Sequence, residues 1–166
     1  MTNYSDRDDR KFKEFLEEAI EAIKDSSPQS SVYVGCDSIR YKVRRKSKEY
    51  KVRFSTVIIL HINSKNGGKI FPFSFTTRDY GTKDNLKMRL MGEVAMATEV
   101  ATAIVEHIGT RHMEVHIDVN PDENHASSVA VKEALGWSRG LGFETKIKPD
   151  GWAATHAADH AVRHIY

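Results

Sequence analysis

The chain has 166 residues, enough for one domain with a proper core and too few for two ordinary ones, so a single domain over 1–166 with one site is expected. Hydrophobic residues at 40% and charged residues at 29% suit a globular protein; no apolar run approaches a membrane span and the polar N-terminus lacks a secretory signal, so a cytoplasmic chain without membrane partners is expected. Cys36 is the only cysteine, which excludes an internal disulfide and a thiolate zinc cluster, and a net charge of +2 is too mild to indicate nucleic acid by itself.

Residues 6–25 carry Phe12, Phe15, Leu16, Ala19, Ile20 and Ile23 at helical spacing with Glu and Lys between them. This predicts an amphipathic helix, an N-terminal extension over 1–28 that stops at Asp25-Ser-Ser-Pro28. Three β-branched, apolar runs follow, at 31–38, 52–62 and 69–75. Asn-Gly-Gly makes the second turn and the basic segment 39–51 joins the first two strands, so an antiparallel meander is expected. Within and just after that segment lie Lys42, Arg44, Arg45, Lys46, Lys48, Lys51 and Arg53. They read either as a solvated hairpin whose cations discourage edge pairing or as a surface for backbone phosphates.

From about Thr82 the period changes, and Leu86, Leu90, Ala97, Ile104 and Ile108 share one face of a long helix that stops at Gly109. A fourth strand over 114–119, a helix over 126–141 weakened by Gly136 and Gly140, a fifth strand over 143–149 and an alanine-rich helix over 151–165 complete the order. Three antiparallel strands followed by helix-connected ones predict an α/β fold: a mixed five-stranded sheet with helices on both faces and the extra N-terminal helix.

Asp37 follows Val-Tyr-Val-Gly-Cys and Asp118 follows Val-His-Ile, so both are read at the carboxyl ends of apolar strands. Such carboxylates either open turns or bind a cation, and sites in sheets with parallel strands form at those ends. At about 100° per residue Glu93 falls within about 20° of Leu86 and Ala97, at the centre of its helix's apolar face, whereas Glu99 falls on the solvent side. It is either neutralised by a partner such as Arg89 or shares a metal with Asp37 and Asp118. In the last helix His156, Asp159 and Arg163 fall on one side, with Ala154, Ala158, Ala161 and Ile165 on the other. This is either a solvated polar face or a fourth metal ligand, Asp159, with His156 as ligand, acid/base group or substrate contact. Oxygen-rich ligation suits Mg2+ or Mn2+, and two such ions would suit a phosphodiester substrate.

The segments VYVGCDS, FSTVIIL, GGKIFPFSF, RLMGEVAMATEVA, VHIDVNPDEN and WAATHAADHAV resemble the YkuK-type family of ribonuclease-H-like proteins, in the superfamily of ribonuclease H and the RuvC resolvases. The resemblance spans most of the chain from residue 31 onward, leaving the N-terminal helix outside it, and the element order is that of ribonuclease H. It implies that Asp37, Glu93, Asp118 and Asp159 are the metal-binding and catalytic carboxylates, with His156 similar to the histidine or aspartate of resolvase-like members. The expected function is a metal-dependent nuclease acting on RNA or structured nucleic acid, with Lys42, Arg44, Arg45, Lys46 and Arg163 against the backbone. The alternatives are a non-catalytic nucleic-acid- or protein-binding module on the same fold, or an assembly surface, which copies of this chain could use to form a homo-oligomer.

Overall fold

The structure is a computed structural model that describes residues 6–79, 86–122, 124, 128 and 131–164, with the backbone alone at 154, 155, 161, 162 and 164. Helix α1 (Asp9–Asp25) starts at Asp8, whose carboxylate accepts from the backbone N–H of Arg10 and Lys11 and so satisfies donors that the first turn leaves open. It buries Phe12, Phe15, Ala19 and Ile23, the apolar stripe read from the sequence. The rings of Phe12 and Phe15 lie 5.2 and 5.5 Å from that of Phe73. Burying two such rings contributes several kcal/mol of transfer free energy, so α1 is part of the core rather than an appendage.

Strands β1 (Ser31–Lys42), β2 (Tyr50–His61) and β3 (Gly68–Arg78) form the antiparallel meander. Helix α2 (Leu86–Ile104) then crosses to β4 (His112–Ile117), and α3 (Val131–Gly140) leads to β5 (Thr145–Lys146). The sheet order is β3-β2-β1-β4-β5, with β4 parallel to both β1 and β5. Alternation along the strands gives the sheet two different faces. Val32, Val34 and Cys36 of β1, Phe54, Ile58 and Leu60 of β2, Phe71, Phe73 and Phe75 of β3 and Val115 and Ile117 of β4 belong to the large core shared with α1, α2 and α3. On the opposite face Val57 and Ile59 meet Ala153 and Ala158 of the C-terminal segment, with Tyr33 packed alongside.

Several predicted boundaries move, each for a physical reason. The pairing of β1 with β2 runs on to Lys42↔Tyr50, so most of the segment read as a loop is a two-stranded arm, closed by bonds from Val43 N–H to Glu49 O and Ser47 N–H to Arg44 O. Its contacts include cation–π pairs, with the Arg40 guanidinium 3.6 Å from the Tyr50 ring centre and that of Arg53 5.6 Å from Tyr41, and an ion pair from Arg40 Nε to Asp79 at 2.5 Å. Glu99 is not on a free solvent face, because Arg7 reaches across from the start of α1 to bond its carboxylate at 3.0 Å. The helix stop is as expected, with Gly109 at φ 63° after a tight turn over Val105–His107. Strand β4 ends at Ile117, so Asp118 lies just beyond it, and β5 is only two residues long. The predicted helix over 126–141 is described from Val131 onward; its first residues, like the start of the long helix before Leu86, lie outside the described residues. The last helix is not uniform: Ala153–Ala158 is wound as a π-helical turn before α4 (Asp159–His164). Ala153 and Ala158 lie against the sheet, while the side chains of Ala154, Ala161 and Ile165 lie outside the described residues.

Candidate metal centre

Register explains how two of the acids meet. The β1–β4 ladder ends at the pair Cys36↔Ile117, and the next residues in line are Asp37 and Asp118. Asp37 is therefore not at the end of its own strand, which continues to Lys42; it stands where β4 leaves β1. Past that point β1 has lost its neighbour, and the Ser38 carbonyl accepts from Arg89 Nη1 of α2 at 3.0 Å. On the other side Asp37 lies opposite Ser55, whose hydroxyl bonds that of Ser74 at 2.6 Å, so a polar row crosses three strands beneath the C-terminal helix.

Glu93 of α2 is 3% exposed and comes to β1 at Ser38, the residue after Asp37. Its Oε1 accepts from the Ser38 hydroxyl at 2.5 Å, while its buried Oε2 has no partner among the described residues. Burial, then the charges of Asp37 and Asp118, push the Glu93 carboxyl well up, against the Ser38 bond and the nearby Arg89. Burial likewise raises Asp37 to about 7; the Ser38 N–H at 2.8 Å opposes this, and the charges of Asp118 and Asp159 and a hydrogen bond with Asp159 add to it. The two outer acids are paired instead: Asp118 with Lys148 Nζ at 2.7 Å and Asp159 with Arg163 Nε at 2.6 Å. Asp37 thus feels Asp118 and Asp159, and Glu93 feels Asp37 and Asp118, two acids being buried without a salt bridge and two lying at the rim with one, although no three of the four bring ligand atoms within 4.8 Å of one another. The adjacent Cys36 thiol is buried and pushed up by that burial and by Glu93, so it is no thiolate nucleophile.

An all-oxygen donor set with an orphaned buried Glu93 Oε2 fits a hard divalent cation such as Mg2+ or Mn2+. His156, exposed on the π-helical turn, lines a cavity of about 370 Å³ with Asn120, Pro121, Lys148 and Pro149. Lys42, Arg44, Arg45 and Lys46 are exposed at the end of the β1–β2 arm, about 16 Å along the strand from Asp37. Arg163 differs from them in being paired with Asp159.

A second group escaped the sequence reading. His112, Glu114 and Glu144 bring one ligand atom each within 4.8 Å of one another, the group of that compactness among the described residues. It sits at the opposite end of β4, about 20 Å from Asp118. Glu114 is clamped between His112 Nε2 and the fully buried His116 Nε2, both at 2.8 Å. His116 Nδ1 accepts the Ala153 N–H at 3.0 Å, so the neutral ring donates from Nε2 to Glu114. Burial keeps His116 low in spite of Glu114, and for Glu114 the two histidine bonds outweigh the upward push of burial and hold it low. The signal was the alternation His112-x-Glu114-x-His116, which puts all three on one face of a strand.

The sequence profile of the family described as ribonuclease H-like matches residues 14–163. The match begins inside α1, so the N-terminal helix falls largely within the family's pattern rather than outside it. No curated protein matches the chain. Among the described residues, no helix is long and apolar enough to cross a membrane.

Proposed function

The chain belongs to the ribonuclease H-like family, and from that membership together with its buried acids we propose that it is a metal-dependent nuclease hydrolysing phosphodiester bonds of RNA or structured nucleic acid. The observation that carries this reading is the pair Asp37 and Glu93: buried, raised by burial and by neighbouring acids, and without a salt bridge among the described residues, Glu93 Oε2 having no partner at all there. Carboxylates in that condition cost stability unless a cation compensates them. Asp37, Glu93, Asp118 and Asp159 would hold Mg2+ or Mn2+, with room in the donor count for two ions. Such ions, when bound, lower the pKa of a coordinated water and stabilise charge on the phosphoryl oxygens.

The remaining work falls to the chain itself. Ser38 orients Glu93 through its hydroxyl and Asp37 through its N–H, and Arg89 fixes Ser38 in turn. His156, at the edge of the neighbouring cavity, is the group available to carry a proton to the leaving oxygen. Lys42, Arg44, Arg45 and Lys46 would bind backbone phosphates along the arm. The chain would act in the cytoplasm as one domain.

One observation favours a second reading. Lys148 and Arg163 already pair with Asp118 and Asp159, as they would in a module that binds nucleic acid or protein and cuts nothing. Cleavage of labelled single-stranded, duplex, hybrid and branched substrates with Mg2+, Mn2+ or EDTA separates the two. We expect metal-dependent cutting that Asp37→Asn lowers by about a thousandfold or more, the scale of losing a charge-stabilising group. Absence of cutting in every substrate, or equal cutting by the variant, leaves the binding module.

A further inference from the structure

The cavity beside Asp118 has a composition unlike the rest of the site. Three of its five lining residues carry rings, the planar imidazole of His156 and the apolar pyrrolidines of Pro121 and Pro149, and the other two are Asn120 and the cationic Lys148. It abuts the acids directly: Lys148 bonds Asp118 at 2.7 Å, Asn120 lies two residues beyond Asp118, and His156 precedes Asp159 by three. Its volume of about 370 Å³ lies at the small end of ligand pockets, enough for one flat heterocycle with its sugar. No carboxylate lines it, whereas the acids gather next to it.

A hollow walled by rings, with one ammonium and one amide, suits an aromatic base bearing an anionic phosphate. A base inside a duplex cannot enter such a hollow, because both its faces are stacked and its edge is paired. We infer that this cavity seats one unstacked nucleotide of the strand being cut, so that the substrate is single-stranded or locally splayed rather than continuous duplex. The inference rests on the nuclease reading for which phosphate is attacked. The seat itself depends only on the cavity.

Binding measured apart from cutting tests it. Full-length Asp37→Asn protein is titrated, by fluorescence anisotropy, into a labelled single-stranded oligonucleotide and into a blunt duplex of the same length. The single strand is expected to bind at least about tenfold more tightly, the scale of one base stacked on a protein ring. Adding His156→Ala should remove about that factor on the single strand and nothing on the duplex, while His156→Phe, which keeps a ring, should restore it. Because His156 is exposed, neither change threatens the fold. Lys148→Gln should reduce the salt slope by about one unit. Equal affinity for both substrates, no effect of His156→Ala, or a free nucleoside monophosphate binding as tightly as the oligonucleotide would overturn the inference. The two readings fail separately. Metal-dependent cutting by the wild type beside strand binding that ignores His156 and Lys148 leaves the nuclease without this seat, and seat-dependent binding without cutting leaves the seat without a nuclease.

Discussion

The two ends of β4 use similar residues to opposite effect. At the start of the strand Glu114 lies between two imidazoles that hold its carboxyl low, so its charge is already answered within the fold. At the far end Asp37 and Glu93 face other carboxylates, and their carboxyls are pushed up. The difference comes from depth and neighbours together: burial pushes Asp37 and Glu93 up and the nearby acids add to it, whereas at the shallower Glu114 the two histidine bonds outweigh burial. One end is a closed electrostatic circuit, and the other is the end where we propose that a cation from solution binds.

Removing charge at the two ends should therefore move stability in opposite directions. The larger effect belongs to Asp37. Because its folded pKa of about 7 lies above the ordinary 3.8, the stability it contributes is complete below the ordinary value and is lost as pH rises through about 7. In EDTA, urea denaturation should show Asp37→Asn gaining on the wild type from about pH 4 to pH 7, by at most about 4 kcal/mol in all, and levelling off above that. A gap that stays constant with pH would break the comparison at this end. The smaller effect belongs to Glu114, whose lowered pKa contributes stability above the ordinary 4.5 that is lost as pH falls below it. Glu114→Gln should cost about 1 kcal/mol at pH 7, converge with the wild type near pH 3, and leave any metal-dependent cutting unchanged. A stabilised Glu114→Gln would mean that this end, too, is open.

How much of this was legible depended on whether a local pattern carried it. Glu93 stood out because helical periodicity alone puts it among Leu90, Val94 and Ala97, all of which the fold buries. Asp37 and Asp118 were readable as acids after apolar runs, but the reason they meet was not. That reason is the last rung of the β1–β4 ladder, Cys36↔Ile117, and register between partners 81 residues apart (117 − 36) is invisible in either strand by itself. Glu144 was hidden in the same way, reaching His112 and Glu114 only through the pairing of β5 with β4. The arm over β1 and β2 was missed because tyrosines and arginines, not an apolar alternation, hold it together. The π-helical turn before Asp159 left no mark in a run of alanines, so a spacing argument based on 3.6 residues per turn could not anticipate it.

The most direct test of the account is where a cation goes. Crystals of the wild type and of Asp37→Asn soaked in Mn2+ and measured at its absorption edge should show anomalous density among Asp37, Glu93, Asp118 and Asp159 in the first and a large loss of it in the second. Density confined to His112, Glu114 and Glu144, or none at the carboxylates at millimolar Mn2+, would contradict it.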